Sequence, residues 1–208
     1  MSGKLQWRGT VTSVRPRIRL LRSFDQISHS YLGYTIRVDG MVGGVEGAFS
    51  VAIGRSAQEK HALKTGDYIQ GMCAPVENPD MEAAGYYKVS GLVKAKESEP
   101  CMESPPWSGI PPAMETYRER GHRRLAARTY SERCISCIWG CLMPVELIID
   151  HWNPSQVRHR KETFCYGPKS CAIYRAGPTR KVPGRNGMVW EEEDWVDEQY
   201  TAHREPDE

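Results

Sequence analysis

The sequence predicts a mainly β protein in two parts, a small barrel-like first half and a cysteine-rich module preceded by a short arginine-rich helix. Three observations predict it. Short runs of alternating apolar and polar residues recur through residues 1–97, the period of half-buried strands. Residues 98–114 hold five prolines, the composition of a semi-rigid connector. Five of the seven cysteines fall within 38 residues, from Cys134 to Cys171. In a chain without an export signal, that clustering reads as metal ligation before disulfides.

The elements follow in order. Leu5 to Val14 alternates as a strand, with Leu5, Trp7 and Val11 on one face and Arg8, Thr10 and Thr12 on the other. Pro16 interrupts the pattern, and Ile18 and Leu20 then alternate with Arg17 and Arg19. Tyr34, Ile36 and Val38 share a face in the next strand, which is expected to end at the turn dipeptide Asp39-Gly40. Phe49, Val51 and Ile53 mark a third strand. Ser56 heads a short helix through Leu63, with Glu59 completing a capping box. Thr65-Gly66-Asp67 turns the chain into a fourth strand, Tyr68 to Val76, and a fifth runs from Tyr86 to Ala95. Trp7, Tyr34 and Phe49 fall in the inward phase and read as core, and Cys73 reads as a small buried apolar residue.

Three strands, a short helix and two strands is the element order of an OB-fold, and residues 1–97 resemble one on that order. Small barrels of the SH3 type are the competing arrangement. The resemblance implies binding of single-stranded nucleic acid, with Arg8, Arg17, Arg19 and Arg37 as the phosphate contacts of this half.

After the connector, in which Trp107 reads as an anchor, Glu115 to Arg133 has the pattern of a helix weakened at Gly121. Arg120, Arg123, Arg124 and Arg128 form its best basic patch, and Arg120, Arg123 and Arg124 are the candidate nucleic-acid contacts on it. Cys134-x2-Cys137-x3-Cys141 and Cys165-x5-Cys171 then flank an alternating hairpin, Val145–Ile149 and Val157–Phe164, with a turn at Asn153-Pro154. A CxxC places two thiolates on one tight knuckle, and a second pair beside it completes a tetrahedral site. Cys134, Cys137, Cys165 and Cys171 are the expected ligands, Cys141 is the reserve, and His151 or His159 are substitutes. The segment resembles a zinc ribbon, from which the x5 spacing and the extra Cys141 depart. Zinc is the expected metal, with a [4Fe-4S] cluster as the alternative.

The formal net charge is only +2, but the blocks are uneven. No acid precedes Asp25; Gln156 to Arg185 carries eight Lys or Arg against Glu162; and Glu191 to Glu208 carries nine acids against Arg204. That tail, expected to be helical near Glu191–Tyr200, suits either folding back on the basic face or a protein partner. No stretch is apolar enough to span a membrane and no secretory h-region follows Met1, so a cytoplasmic location is expected. No nucleophile elbow, Walker loop, dinucleotide fingerprint or HExxH occurs, and Asp150-His151 reads as structural, so no catalytic residues are assigned. An OB-like domain followed by a zinc module is similar in layout to archaeal replication protein A relatives. That resemblance implies a metal-containing nucleic-acid binder; a redox or electron-transfer protein and an interaction scaffold are the alternatives.

Overall fold

The computed structural model describes residues 3–98, 104–153 and 155–205. Cys101, Pro154 and the end of the acidic tail lie outside the described residues.

The chain is mainly β, as the alternation predicts. Strand β1 (Leu5–Ser23) pairs with β2 (Ile27–Val42) from Trp7↔Val42 to Arg22↔Ile27. Pairing continues from β2 to β3 (Val45–Ile53). It passes from β3 to β5 (Tyr86–Lys96) at Val51↔Tyr86, from β5 to β4 (Tyr68–Pro75), and from β4 back to the first half of β1. The pairings therefore form a closed circuit of five strands, with helix α1 (Arg55–His61) between β3 and β4. Alternate residues point inside it. Trp7, Val11, Ile36, Val38, Val51, Ile69 and Cys73 are buried there. Each of the larger aliphatic side chains contributes roughly 1.5–3 kcal/mol by that burial.

Three local details differ from the expectations. Strand β1 runs straight through Pro16 because β4 pairs only up to Thr10 and the next neighbour on that side begins at Leu20. Pro16 thus faces β2 alone, and a missing N–H is tolerated on an unpaired edge. Strand β2 passes Asp39-Gly40 and turns at Gly43-Gly44, both at positive φ, as a tight hairpin requires. Gly40 cannot carry a side chain, since a Cβ there would lie 2.2 Å from the Arg8 carbonyl oxygen. Helix α1 is headed by Gly54 without a side-chain cap, so Ser56 sits inside its first turn.

The connector does not hold two cores apart. Tyr34 Oη donates to the Pro112 carbonyl at 2.8 Å, and Ile138 N–H to that of Trp107 at 2.8 Å. Helix α2 (Met114–Arg120) buries Met114 and Tyr117, and stops at Gly121, φ +66°. The expected helix to Arg133 is therefore broken. Strand β6 (Arg123–Arg124) follows, then a short helix α3 (Ala127–Thr129) that continues as a π-turn through Cys134. Strands β7 (Gly140–Ile148) and β8 (Val157–Cys165) form the expected hairpin. β6 pairs with β8, and β7 pairs in parallel with the end of β1, Leu20↔Val145 to Ser23↔Ile148. One apolar cluster runs from Trp7 and Ile36 to Met143, Val145, Phe164 and Val182. The two halves share a sheet and a core.

Strands β9 (Arg180–Pro183) and β10 (Val189–Glu192) pair with each other and lead into α4 (Asp194–Thr201). This acidic segment folds back on buried arginines. Arg124, fully buried, donates from its backbone N–H (2.9 Å) and Nε (3.1 Å) to Asp197, and also reaches Asp194 and the Glu192 carbonyl. Arg22 meets Glu192 at 2.6 Å, also buried.

Candidate metal centre and basic cleft

A tight turn spans the first cysteine pair, and a second turn ends at Cys171. Cys137 N–H bonds the Cys134 carbonyl at 3.1 Å, and Cys171 N–H bonds that of Pro168 at 3.2 Å. Gly140 is fixed by the first turn, since a Cβ would lie 2.6 Å from the Cys134 carbonyl oxygen. The β7–β8 register, Gly140↔Cys165, brings the second pair beside the first. Cys134, Cys137, Cys165 and Cys171 consequently line one cavity with about 10 Å³ of free space, walled by Trp107, Trp139 and Tyr174. That is close to the room one water-sized sphere needs.

All four sulfurs are free thiols. Burial pushes the Cys134 thiol up to about 11 and the Cys137 thiol to about 12, and raises that of Cys165. Opposing this, Gly167 N–H points at the Cys165 sulfur at 3.4 Å, and backbone N–H groups of Trp139 and Trp107 favour the Cys137 thiolate. Among the described residues, no three His, Cys, Asp or Glu side chains are already gathered as an ion's ligand set; the four thiols border the cavity.

Cys141 is elsewhere. It is fully buried against β1, its sulfur 3.5 Å from the Pro16 carbonyl oxygen. His159 lies out along the hairpin opposite Glu146, at 3.3 Å, and His151 is exposed in the β7–β8 loop.

The seven arginines expected to meet nucleic acid are not brought to one surface. Arg17 is held by Glu82 through both Nε and Nη2, and Arg19 donates to the Met81 carbonyl at 3.1 Å. Arg124 is spent on the acidic segment. Arg123 lies 3.9 Å from the Tyr174 ring centre and donates to the Pro168 carbonyl, and Arg120 stacks on Trp139 and donates to the Tyr166 carbonyl. These two brace the cysteine module. Arg8 is exposed and Arg37 half-buried on the outer face of β1 and β2, where neither has a carboxylate within ion-pair distance among the described residues.

Sequence reasoning placed Arg128 in a basic patch but missed the partners it has in the fold. Arg128, Arg133 and Arg175 line a cleft of about 400 Å³ with Thr129, Glu132 and Ile173. Arg128 is 86% exposed, and its exposed pair with Glu132 is worth little. Arg133 and Arg175 have no carboxylate partner among the described residues. The available signal was adjacency, because Arg133 precedes Cys134 directly and Arg175 follows Cys171 by four. Ile173 lines both the cysteine cavity and this cleft, so the two are neighbours.

Among the described residues, no helix is long and apolar enough to cross a membrane. Comparison with protein-family models, curated proteins and solved structures finds no match for this chain.

Proposed function

We propose that this chain binds single-stranded nucleic acid through a basic cleft built on a structural zinc site. The observation that carries the reading is that Cys134, Cys137, Cys165 and Cys171 border one small cavity, and that three arginines line a cleft sharing Ile173 with it. Four thiolates leave no open coordination position, so a bound zinc cross-links the two knuckles and does not act on substrate. The small cavity favours a single ion over a cluster of four irons and four sulfides. Trp107, Trp139 and Tyr174 keep water from the site, and Arg123, stacked on Tyr174, holds the second knuckle against β6. Arg133 and Arg175 then present guanidinium groups to phosphates, and Arg128 adds a third from the edge.

The closed five-strand circuit with α1 between β3 and β4 supports an OB reading of residues 1–97 and, through it, the same function. Its outer face offers Arg8 and Arg37, but Trp7 and Tyr34 are buried and give no stacking platform there. The cysteine module is therefore the principal contact. Fluorescence anisotropy with labelled single- and double-stranded oligonucleotides at about 50 mM salt tests this, since phosphate contacts are strongest at low salt. Changing Arg128, Arg133 and Arg175 together to Ala should weaken binding alike for all sequences and flatten the salt slope by roughly two to three. Absence of binding by the zinc-loaded wild type, or an unchanged slope in the variant, overturns the proposal.

A further inference from the structure

The ends of the chain build a second cleft that plays no part in the cysteine module. The β1–β2 turn and the α4 segment enclose about 590 Å³, a volume typical of small-molecule sites. Its walls are aromatic: Phe24, Trp190 and Trp195, with Phe24 and Trp195 partly open to solvent at 37% and 51%. Exposed aromatics at the mouth of a cleft are the exception in a chain that buries most of its apolar surface. Phe24 is set there by Gly184, where a Cβ would come within 3.0 Å of its ring. At the back, Arg22 lies 5.3 Å from the Trp190 ring centre, and its charge is answered by Glu192 at 2.6 Å.

Besides Arg22, Ser23 and Tyr200, the polar side chains lining the cleft are Asp25, Gln26 and Gln199. Asp25 is exposed and accepts one bond, from Ser23 Oγ at 2.9 Å; no cation lies within ion-pair distance of it among the described residues. A carboxylate with free lone pairs in a cleft lined by two amides and by aromatic rings matches a flat ligand with adjacent N–H donors on one edge. Guanine has that edge, its ring N–H beside its amino group. Adenine and cytosine carry the amino group without the neighbouring N–H, and uracil and thymine carry no amino group. The space exceeds what a single alkylammonium group needs, so an aromatic cage for a cation fits it less well.

We infer that this cleft is a nucleobase site, stacking one guanine on Trp195 and Phe24 and hydrogen-bonding its donor edge to Asp25. The inference deepens the nucleic-acid reading and rests on it for the strand source, although a free nucleoside carries the same base. Bases splayed from single strands are held in this way, by stacking and edge bonds together.

The test follows the Trp195 indole N–H resonance by NMR in the zinc-loaded protein, assigned by its loss in Trp195→Phe. Guanosine should shift it, adenosine and cytidine far less and uridine not at all, and Asp25→Asn should weaken the guanosine response roughly tenfold. Trp195→Ala, at a half-exposed position, should fold normally and remove binding, which the Asp25→Asn variant checks independently. Oligothymidine with and without a single dG separates the strand source from the free base. A guanosine response that survives the triple arginine change, with no oligonucleotide bound, supports the base site while refuting the basic cleft. No response to any nucleoside, an equal response to all four that ignores Asp25→Asn, or a response to tetramethylammonium alone overturns the inference.

Discussion

Replacing Asp197 by Ala strands a buried cation. Arg124 is fully buried, and Asp197 accepts two of its donors, the β6 backbone N–H at 2.9 Å and Nε at 3.1 Å. Burial raises the Asp197 carboxyl above its ordinary value even with Arg124 beside it, so desolvation consumes much of what the pair gains. The pair is thus little surplus stability while intact, but costly to break. Losing one partner of such a pair costs about 3–5 kcal/mol, because Arg124 keeps only the exposed Asp194 carboxylate and the Pro178 and Glu192 carbonyls as partners. For a chain of this size that is a fall in Tm of roughly 6–20 °C. Asp194 also reaches Arg124, but its side chain is 81% exposed, so Asp194→Ala should cost about 1 kcal/mol or less. The two variants are compared by urea unfolding and thermal melting. The double change Arg124→Met with Asp197→Leu should recover part of the loss, since apolar groups of similar volume replace buried pairs well. Equal costs for the two Asp variants would refute the reasoning and show that solvent reaches Arg124.

Two further outcomes follow from the same region. Gly121 has φ +66° and ψ 174°, a conformation restricted to glycine, and a Cβ there would lie 2.2 Å from the Tyr200 carbonyl oxygen; Gly121→Ala should cost at least about 2 kcal/mol and raise amide exchange through α4, whereas normal protection there would contradict the packing. Burial, reinforced by Arg22, holds His29 down at about 4, against its ordinary 6.5, and burial also lowers the adjacent His122, which His29, Arg180, Arg22 and Arg204 hold down further. Because the folded values lie below the unfolded ones, the stability these groups contribute is intact above pH 6.5 and is lost as pH falls. His29 alone should account for about 2–3 kcal/mol by pH 4, so His29→Gln should show a visibly flatter urea midpoint against pH than wild type.

The first strand was legible because its start is half-buried and alternates, and the others from the apolar–polar alternation of their sequences, although β2 and β8 bury runs of four successive residues, Gly33–Ile36 and Glu162–Cys165. What local pattern does not contain is which edge of β1 finds a partner. Its last four residues pair with β7, Leu20↔Val145 to Ser23↔Ile148, and that distant join makes one core where the proline-rich connector suggests two. The arginine-rich helix failed at a single residue, Gly121, whose backbone is dictated by the approach of Tyr200 from the far end of the chain. Charge pattern alone likewise misled, since Arg124 looks identical to Arg133 in sequence. One is buried under the acidic segment and the other faces a cleft. The four cysteines expected as ligands border one cavity, although among the described residues no three of them are gathered as an ion's ligand set. Cys141, which spacing alone does not distinguish from a ligand, is drawn away by its packing against β1.

Metal content tests the central claim most directly. Native mass spectrometry of the freshly purified chain, with elemental analysis of the same sample, should find one zinc per chain. Cys134→Ser, Cys137→Ser, Cys165→Ser and Cys171→Ser should each lose it, and Cys141→Ser, at the buried thiol beside Pro16, should keep it. A chain without metal, or one whose metal depends on Cys141 and not on Cys171, would contradict the account.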